Sequence, residues 1–298
     1  MHSFLIPFDE ECVELAKGIP TWNASSRQEF LLRAYATLGA ADILMIEKML
    51  DMKGHNAIVP CRSCEIHGVR DIEGGGKTYY YPLTPPGATQ QKYDPRNLPL
   101  RTHEDWQSAV DEIQSVPAHQ STARNRAAMR LGIKGMPVLG RRVQSIDYAR
   151  SFSWEFLHLF FENLFPNMVM MWKGEYRNLD SGTQNYIIVR SNWEKIGAET
   201  AACVSHIPSE FVRVLHNIHT EQSAFTAESW SFWMIHIAPI VLKGRFPDDK
   251  FYDHFMDLVK IARRCLKWDL SSNEKMELRE DIVRWVEFYE RYVLMSLT

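Results

Sequence analysis

Residues 152–165 read Phe152-Ser153-Trp154-Glu155-Phe156-Leu157-His158-Leu159-Phe160-Phe161-Glu162-Asn163-Leu164-Phe165. Wound as a helix, this stretch is apolar on most of its sides, and such a helix belongs inside a large core rather than on a surface. On its N-terminal side the sequence is mixed and broken by Gly and Pro; beyond Trp193 the 3.6-residue periodicity is sustained to the end. The pattern predicts a mixed α/β part over about 1–70 and 140–165, and a helical part from about 190 onward with no long strands.

Further along the chain, Thr226 opens a helix over 226–242, and Phe251, Phe255, Leu258, Ile261, Ala262, Cys265 and Leu266 recur at helical spacing over 249–268. Ser271 and Glu274 form a capping box that launches a helix of more than about 20 residues. Trp230, Trp233, Trp268 and Trp285 sit among apolar neighbours and read as core rather than as platforms for stacked bases. The chain then ends without a C-cap signal, as if cut within or just after an element.

Toward the N-terminus, residues 9–18 place Cys12, Val13, Leu15 and Ala16 on one helix face, with Gly18 and Pro20 as terminators. Residues 26–51 read by propensity as one long helix capped by Ser26, with Gly39 as a break point. Residues 68–100 carry Gly74-Gly75-Gly76, Pro85-Pro86 and Asp94-Pro95 and read as an irregular insertion around one short strand. Thr102 with Asp105 predicts a capped helix over 102–115, and 117–130 is a polar, basic helical stretch ended by Gly132.

Composition narrows the classes. A formal charge of −3, from 34 basic and 37 acidic residues, leaves no global basic bias, so nucleic-acid contact would have to be local. The Arg-rich stretch from Arg124 to Arg142, with Arg124, Arg126, Arg141 and Arg142, is the candidate for DNA phosphates; a solvated face is the alternative. Five Cys in a chain of 298 residues do not form a secreted disulfide framework, which predicts the nucleus or cytoplasm rather than secretion. The N-terminus lacks the form of a signal peptide, and the most apolar run, Phe232 to Leu242, is too short to span a membrane.

Chemistry is suggested most clearly by Pro60-Cys61-Arg62-Ser63-Cys64-Glu65-Ile66-His67. Two thiols separated by two residues can close on one Zn²⁺, with His67 or His55 supplying a third ligand. The same spacing also suits two ordinary reduced thiols or a redox pair, although a thioredoxin-like site wants a strand before the pair and a helix after it, whereas 71–76 read as loop. A Cys–His nucleophile pair is a further alternative. Glu162, on the apolar helix, reads as a hydrogen-bond acceptor for Arg150 or Asn163.

Four stretches taken together are more specific: Gly39-Ala40-Ala41-Asp42-Ile43; Met52-Lys53-Gly54-His55-Asn56 running into Pro60 to Cys64; Ile146-Asp147-Tyr148-Ala149-Arg150-Ser151-Phe152; and His158-Leu159-Phe160-Phe161-Glu162-Asn163-Leu164. They resemble the Tnp2-like transposases of CACTA-type DNA transposons, in the copies common in mushroom-forming fungi. The resemblance covers nearly the whole chain. It implies α/β plus α: a partial ribonuclease-H-like core over 1–165, with the CxxC knuckle and the irregular insertion at 68–100, and a large, mainly helical, C-terminally truncated insertion domain over 166–298.

That family looks like a cut-and-paste enzyme in which three acids hold two Mg²⁺ ions. Asp42 matches the second catalytic carboxylate, with Leu44 where a Pro is usual, and a strand is then expected within 30–41. Cys61 and Cys64 match the family's CxxC, and His158 matches the His of a D-x-x-H element in which Glu155 stands for the acid. Cys61, Cys64, His67, Glu155 and His158 are therefore the expected set for a structural Zn²⁺. The family's first Asp and last Glu fall outside the chain, so an internal fragment that neither cleaves nor joins DNA is expected. Asp42, Asp147 and Glu162 would be the only rescue triad. DNA is the implied partner of the ancestral enzyme, and self-association into a homo-oligomer is compatible with it. The competing reading is a non-catalytic zinc-knuckle module that binds nucleic acid or protein.

Overall fold

The protein is described from a computed structural model. It covers all residues except 1, 55–56, 72–76, 81, 85–91, 140–141, 177–183, 212–213 and 294–298. The chain divides into two compact units, 1–155 and 156–298. The division falls ten residues before the expected one at 165, because Phe160, Phe161 and Phe165 are buried in the core of the second unit.

The first unit begins with α1 (His2–Lys17), ended by Gly18 in the left-handed region at φ 106. A hairpin follows: β1 (Ile19–Asn23) pairs antiparallel with β2 (Gln28–Leu32), in register from Ile19↔Leu32 to Asn23↔Gln28. The long helix that propensity favours over 26–51 is therefore absent. Ser26 lies in the hairpin turn, where the Asn23 side chain accepts from the N–H groups of Ser25 and Ser26. Backbone pairing with β1 overrides a weak helix preference in Gln28–Leu32. Only the end of the stretch is helical, as α2 (Ile43–Met49).

The insertion carries a second hairpin, β3 (Val69–Asp71) with β4 (Lys77–Tyr80), one strand more than expected. Then come α3 (His103–Ser115) and α4 (Ser121–Leu131). The Thr102–Asp105 capping box forms as its spacing predicts, satisfying two N-terminal donors of α3. The core of this unit gathers Ile46 and Leu50 from around α2, Trp106, Val110 and Ile113 from α3, and Ile146, Tyr148 and Phe152. Among the described residues the strands form only two separate two-stranded sheets, and none follows Tyr80.

In the second unit the apolar stretch is helical from Phe156, not from Phe152, and runs as a π-helical segment over His158–Leu164 into α5 (Phe165–Lys173). Next come α6 (Arg190–Cys203), α7 (Ala227–Phe232), a second π-helical segment (Trp233–Ile237), α8 (Ala238–Val241), α9 (Asp249–Cys265) and α10 (Ser272–Tyr292). The Ser271–Glu274 box caps α10 as expected. Trp230, Trp233 and Trp285 are core, but Trp268, beyond the end of α9, is fully exposed. Helical spacing did not extend past Leu266, so nothing turns its ring inward. Among the described residues no helix is long and apolar enough to cross a membrane.

His254 on α9 is buried, its ring stacked between Trp285 at 4.6 Å and Phe288 at 4.4 Å. Its Nε2–H donates to the Trp285 carbonyl at 3.0 Å, and Trp285 Nε1–H donates to the His254 carbonyl at 3.1 Å. Burial outweighs that hydrogen bond and the Asp257 charge, holding the imidazole at about 4, below its ordinary 6.5. Between these values the unfolded chain binds the extra proton, so the contribution is complete above about 6.5 and is lost as pH falls toward 4. The gap corresponds to at most about 3 kcal/mol. Denaturant unfolding at pH 7 and pH 4 should show a smaller loss on acidification in His254→Gln than in the parent protein; an equal loss would refute this account.

Candidate functional site

The first unit builds its site around the Cys61–Cys64 loop. The loop is held from both sides: the Glu65 N–H donates to the Pro99 carbonyl at 2.8 Å and the Arg101 N–H to the Ser63 carbonyl at 3.0 Å, with Cys64 bridged antiparallel to Leu100. Arg62, between the two thiols in sequence, is buried. Its guanidinium donates to the carbonyls of Phe152 (3.2 Å) and Ser153 (2.7 Å) and lies 3.6 Å from the centre of the Trp154 ring. Trp106 Nε1 donates to the Arg62 carbonyl at 3.2 Å. The loop is thus tied to α3 and to 152–154 at once.

Arg101 is the second buried cation. Its Nη2 donates to the carbonyls of Val59 (3.2 Å) and Leu131 (2.8 Å), while its Nε has no hydrogen-bond partner among the described residues. The thiols differ in surroundings: Cys64 is buried and Cys61 partly exposed. The hydrogen bond from Cys64 holds the Cys61 thiol well below its usual range, against the opposing effect of burial and with help from backbone N–H groups and the Arg101 charge. Cys64 is pushed up by its hydrogen bond to Cys61, by burial and by the Cys61 charge.

The expected zinc set is only partly assembled. Cys61 and Cys64 come together, but His67 is exposed, with its N–H donating to the Tyr93 hydroxyl at 3.4 Å. Glu155 closes the first unit and His158 belongs to the second, where its Nε2 lies 3.2 Å from a Glu162 carboxylate oxygen. His55 lies outside the described residues. Among the described residues no group of three or more His, Cys, Asp and Glu is placed to hold a metal ion. Two thiols alone do not make the four-ligand shell of a structural zinc site, so the described residues do not fit that ion.

The expected acids have local duties. Asp42 is the N-cap of α2: its Oδ1 accepts the Met45 N–H at 2.6 Å, the usual task of a carboxylate at that position. Asp147 lies in a turn rather than a strand and accepts the N–H groups of Ala149 (2.9 Å) and Arg150 (3.1 Å). Glu162 pairs with His158 rather than with Arg150 or Asn163; the Asn163 amide donates instead to the His158 carbonyl at 2.6 Å. Asp42 and Asp147 thus each serve backbone N–H groups of their own turn or helix in the first unit, and Glu162 belongs to the second unit.

Of the arginines, Arg126 is exposed and Arg124 half-exposed on α4, and neither is in an ion pair among the described residues. Arg142 is engaged by Asp9 at 3.0 Å and Glu10 at 3.3 Å. Arg141 lies outside the described residues. Sequence reading passed over Arg62 and Arg101. The only signal for Arg62 was a cation enclosed by two Cys, and Arg101, next to a cap, carried none.

The first unit is a mixed α/β body organised around a buried, arginine-braced dithiol loop, and the second is an aromatic-rich helical body. No protein-family model, curated protein or solved structure matches the chain.

Proposed function

We propose that this chain is a non-catalytic remnant of a Tnp2-like transposase that contacts the phosphates of DNA without cutting it. The observation that carries the reading is the role of Asp42: the acid at the position of a catalytic carboxylate is the N-cap of α2. Ancestry in a ribonuclease-H-like core for the first unit draws support from the parallel bridge Gly39↔Phe152, which joins two of the stretches on which the resemblance rests. Its hydrogen bonds run from the Gly39 N–H to the Ser151 carbonyl (2.7 Å) and from the Ser153 N–H to the Gly39 carbonyl (3.2 Å). Support for DNA contact comes from Arg124 and Arg126 on α4, with Lys53 nearby through its 2.7 Å bond to Asn125. The setting would be nuclear or cytoplasmic.

Fluorescence anisotropy on duplex DNA over a salt series provides the test. Binding should weaken with salt, and Arg124→Ala with Arg126→Ala should reduce the slope of log K against log salt by about 0.9 for each phosphate contact removed. Neither nicking nor joining should occur in Mg²⁺ or Mn²⁺. Metal-dependent cleavage that vanishes in Asp42→Ala would overturn the non-catalytic reading; a slope unchanged by the double substitution would overturn the assignment of α4.

A further inference from the structure

We infer that Cys61 and Cys64 form a reversible dithiol–disulfide site, in which partly exposed Cys61 attacks a low-molecular-weight disulfide and buried Cys64 resolves the adduct. Both thiols are free and stand at the two ends of one four-residue loop, which is tied down by the Glu65–Pro99 and Arg101–Ser63 backbone bonds. Cys61 also has the Ser63 N–H against its sulfur at 3.4 Å, a donor that favours the thiolate. No helix follows the pair to supply a positive dipole, and the loop instead runs into the Cys64↔Leu100 bridge. The positive charge comes from Arg101, which is buried with its Nε lacking a hydrogen-bond partner among the described residues and whose field is shared with Glu65 and Asp105. A guanidinium enclosed in this way favours a nearby anion, and its charge acts on both sulfurs in that sense. The order of attack follows from Cys61, the residue with the greater accessible surface, also having the Ser63 N–H against its sulfur.

The exchange is balanced in two steps. Cys61 thiolate attacks one sulfur of the disulfide RSSR, forming a Cys61–SR bond and breaking S–S, with RS⁻ leaving. Cys64 then gives its proton to that thiolate or to solvent and attacks Cys61 Sγ, expelling the second RS⁻, which takes up the proton that Cys61 had released. The protein dithiol is oxidised by two electrons and RSSR is reduced to two RSH. This inference depends neither on DNA contact nor on a zinc ion, for which the described residues supply no group of three or more ligands.

The full-length chain, stripped of metal with a chelator, would be equilibrated in buffers of reduced and oxidised glutathione, quenched with an alkylating reagent and mapped by mass spectrometry. The expected result is a single Cys61–Cys64 disulfide that appears and reverses with the buffer ratio, while Cys12, Cys203 and Cys265 remain alkylated. Cys64→Ser should accumulate a glutathione adduct at Cys61, whereas Cys61→Ser should not react. In the unmodified protein, the alkylation rate of Cys61 should reach its plateau at a lower pH than that of an ordinary thiol, near 8.5. Both thiols remaining alkylated throughout the series would overturn the inference, as would protection of both by one equivalent of Zn²⁺. The measurement on the unmodified chain decides the matter even if the variants fold poorly.

Discussion

Phe165→Ala is expected to lower the stability of the second unit by about 3–5 kcal/mol, the range for removing a fully enclosed aromatic side chain. Phe165 has no exposed surface, and its ring lies 5.7–6.0 Å, centre to centre, from those of Trp172, Trp230, Trp233 and Phe255. These partners come from α5, α7, the second π-helical segment and α9, so one truncation opens a void where four segments meet. Relaxation around such a void is limited because each neighbour is itself locked by other rings. Phe165→Leu, which refills most of the volume, should recover much of the loss. Denaturant midpoints followed by tryptophan fluorescence would report both variants, and a loss for Phe165→Ala below about 1 kcal/mol would contradict the packing described.

Gly132→Ala should be comparably damaging, by about 2–5 kcal/mol, combining left-handed strain with a steric clash. Gly132 has φ 77, and an added Cβ would stand 1.8 Å from the Val59 carbonyl oxygen, with Arg101 Nη2 at 3.3 Å. Backbone cannot yield as the tip of a flexible side chain can. The strand of chain from Val59 would have to retreat, and with it one of the two carbonyls that anchor Arg101 beside the thiols. Hydrogen exchange should therefore rise around 58–64 and at the end of α4, while the second unit keeps its protection. An alanine variant with parental exchange in the Cys loop would show that the close approach does not exist.

Both substitutions bear on what could be read in advance. Capping was legible residue by residue: Thr102 with Asp105 and Ser271 with Glu274 each form their box where the spacing places it, because the donors being satisfied lie within four residues of the cap. The helical second unit was legible for a related reason, its apolar residues recurring at the period of a helix that must bury one face. Residues 26–32 were not legible, since their partner strand is chosen by a turn and by backbone pairing, and helix propensities differ by only tenths of a kcal/mol per residue.

The candidate site divides along the same line. The thiol spacing at Cys61 and Cys64 is a local fact, and the sequence alone marked it as the place to look. Which chemistry the pair favours depends on groups distant in the chain: Arg101 supplies charge, and Phe152 and Ser153 fix Arg62. Asp42 shows the converse, for its resemblance to a catalytic acid is a statement about sequence, whereas its bond to the Met45 N–H is local geometry that any helix N-cap acid would share. By itself the sequence determined the capping boxes at Thr102 and Ser271, the helical half and the position of the dithiol, because short-range hydrogen bonding and periodicity are encoded within a few residues. Only the tertiary structure decided strand against helix at 28–32, the burial of Arg62 and Arg101, and the unequal burial of the two cysteine residues, because each depends on contacts between residues far apart in the chain whose energies no local pattern carries.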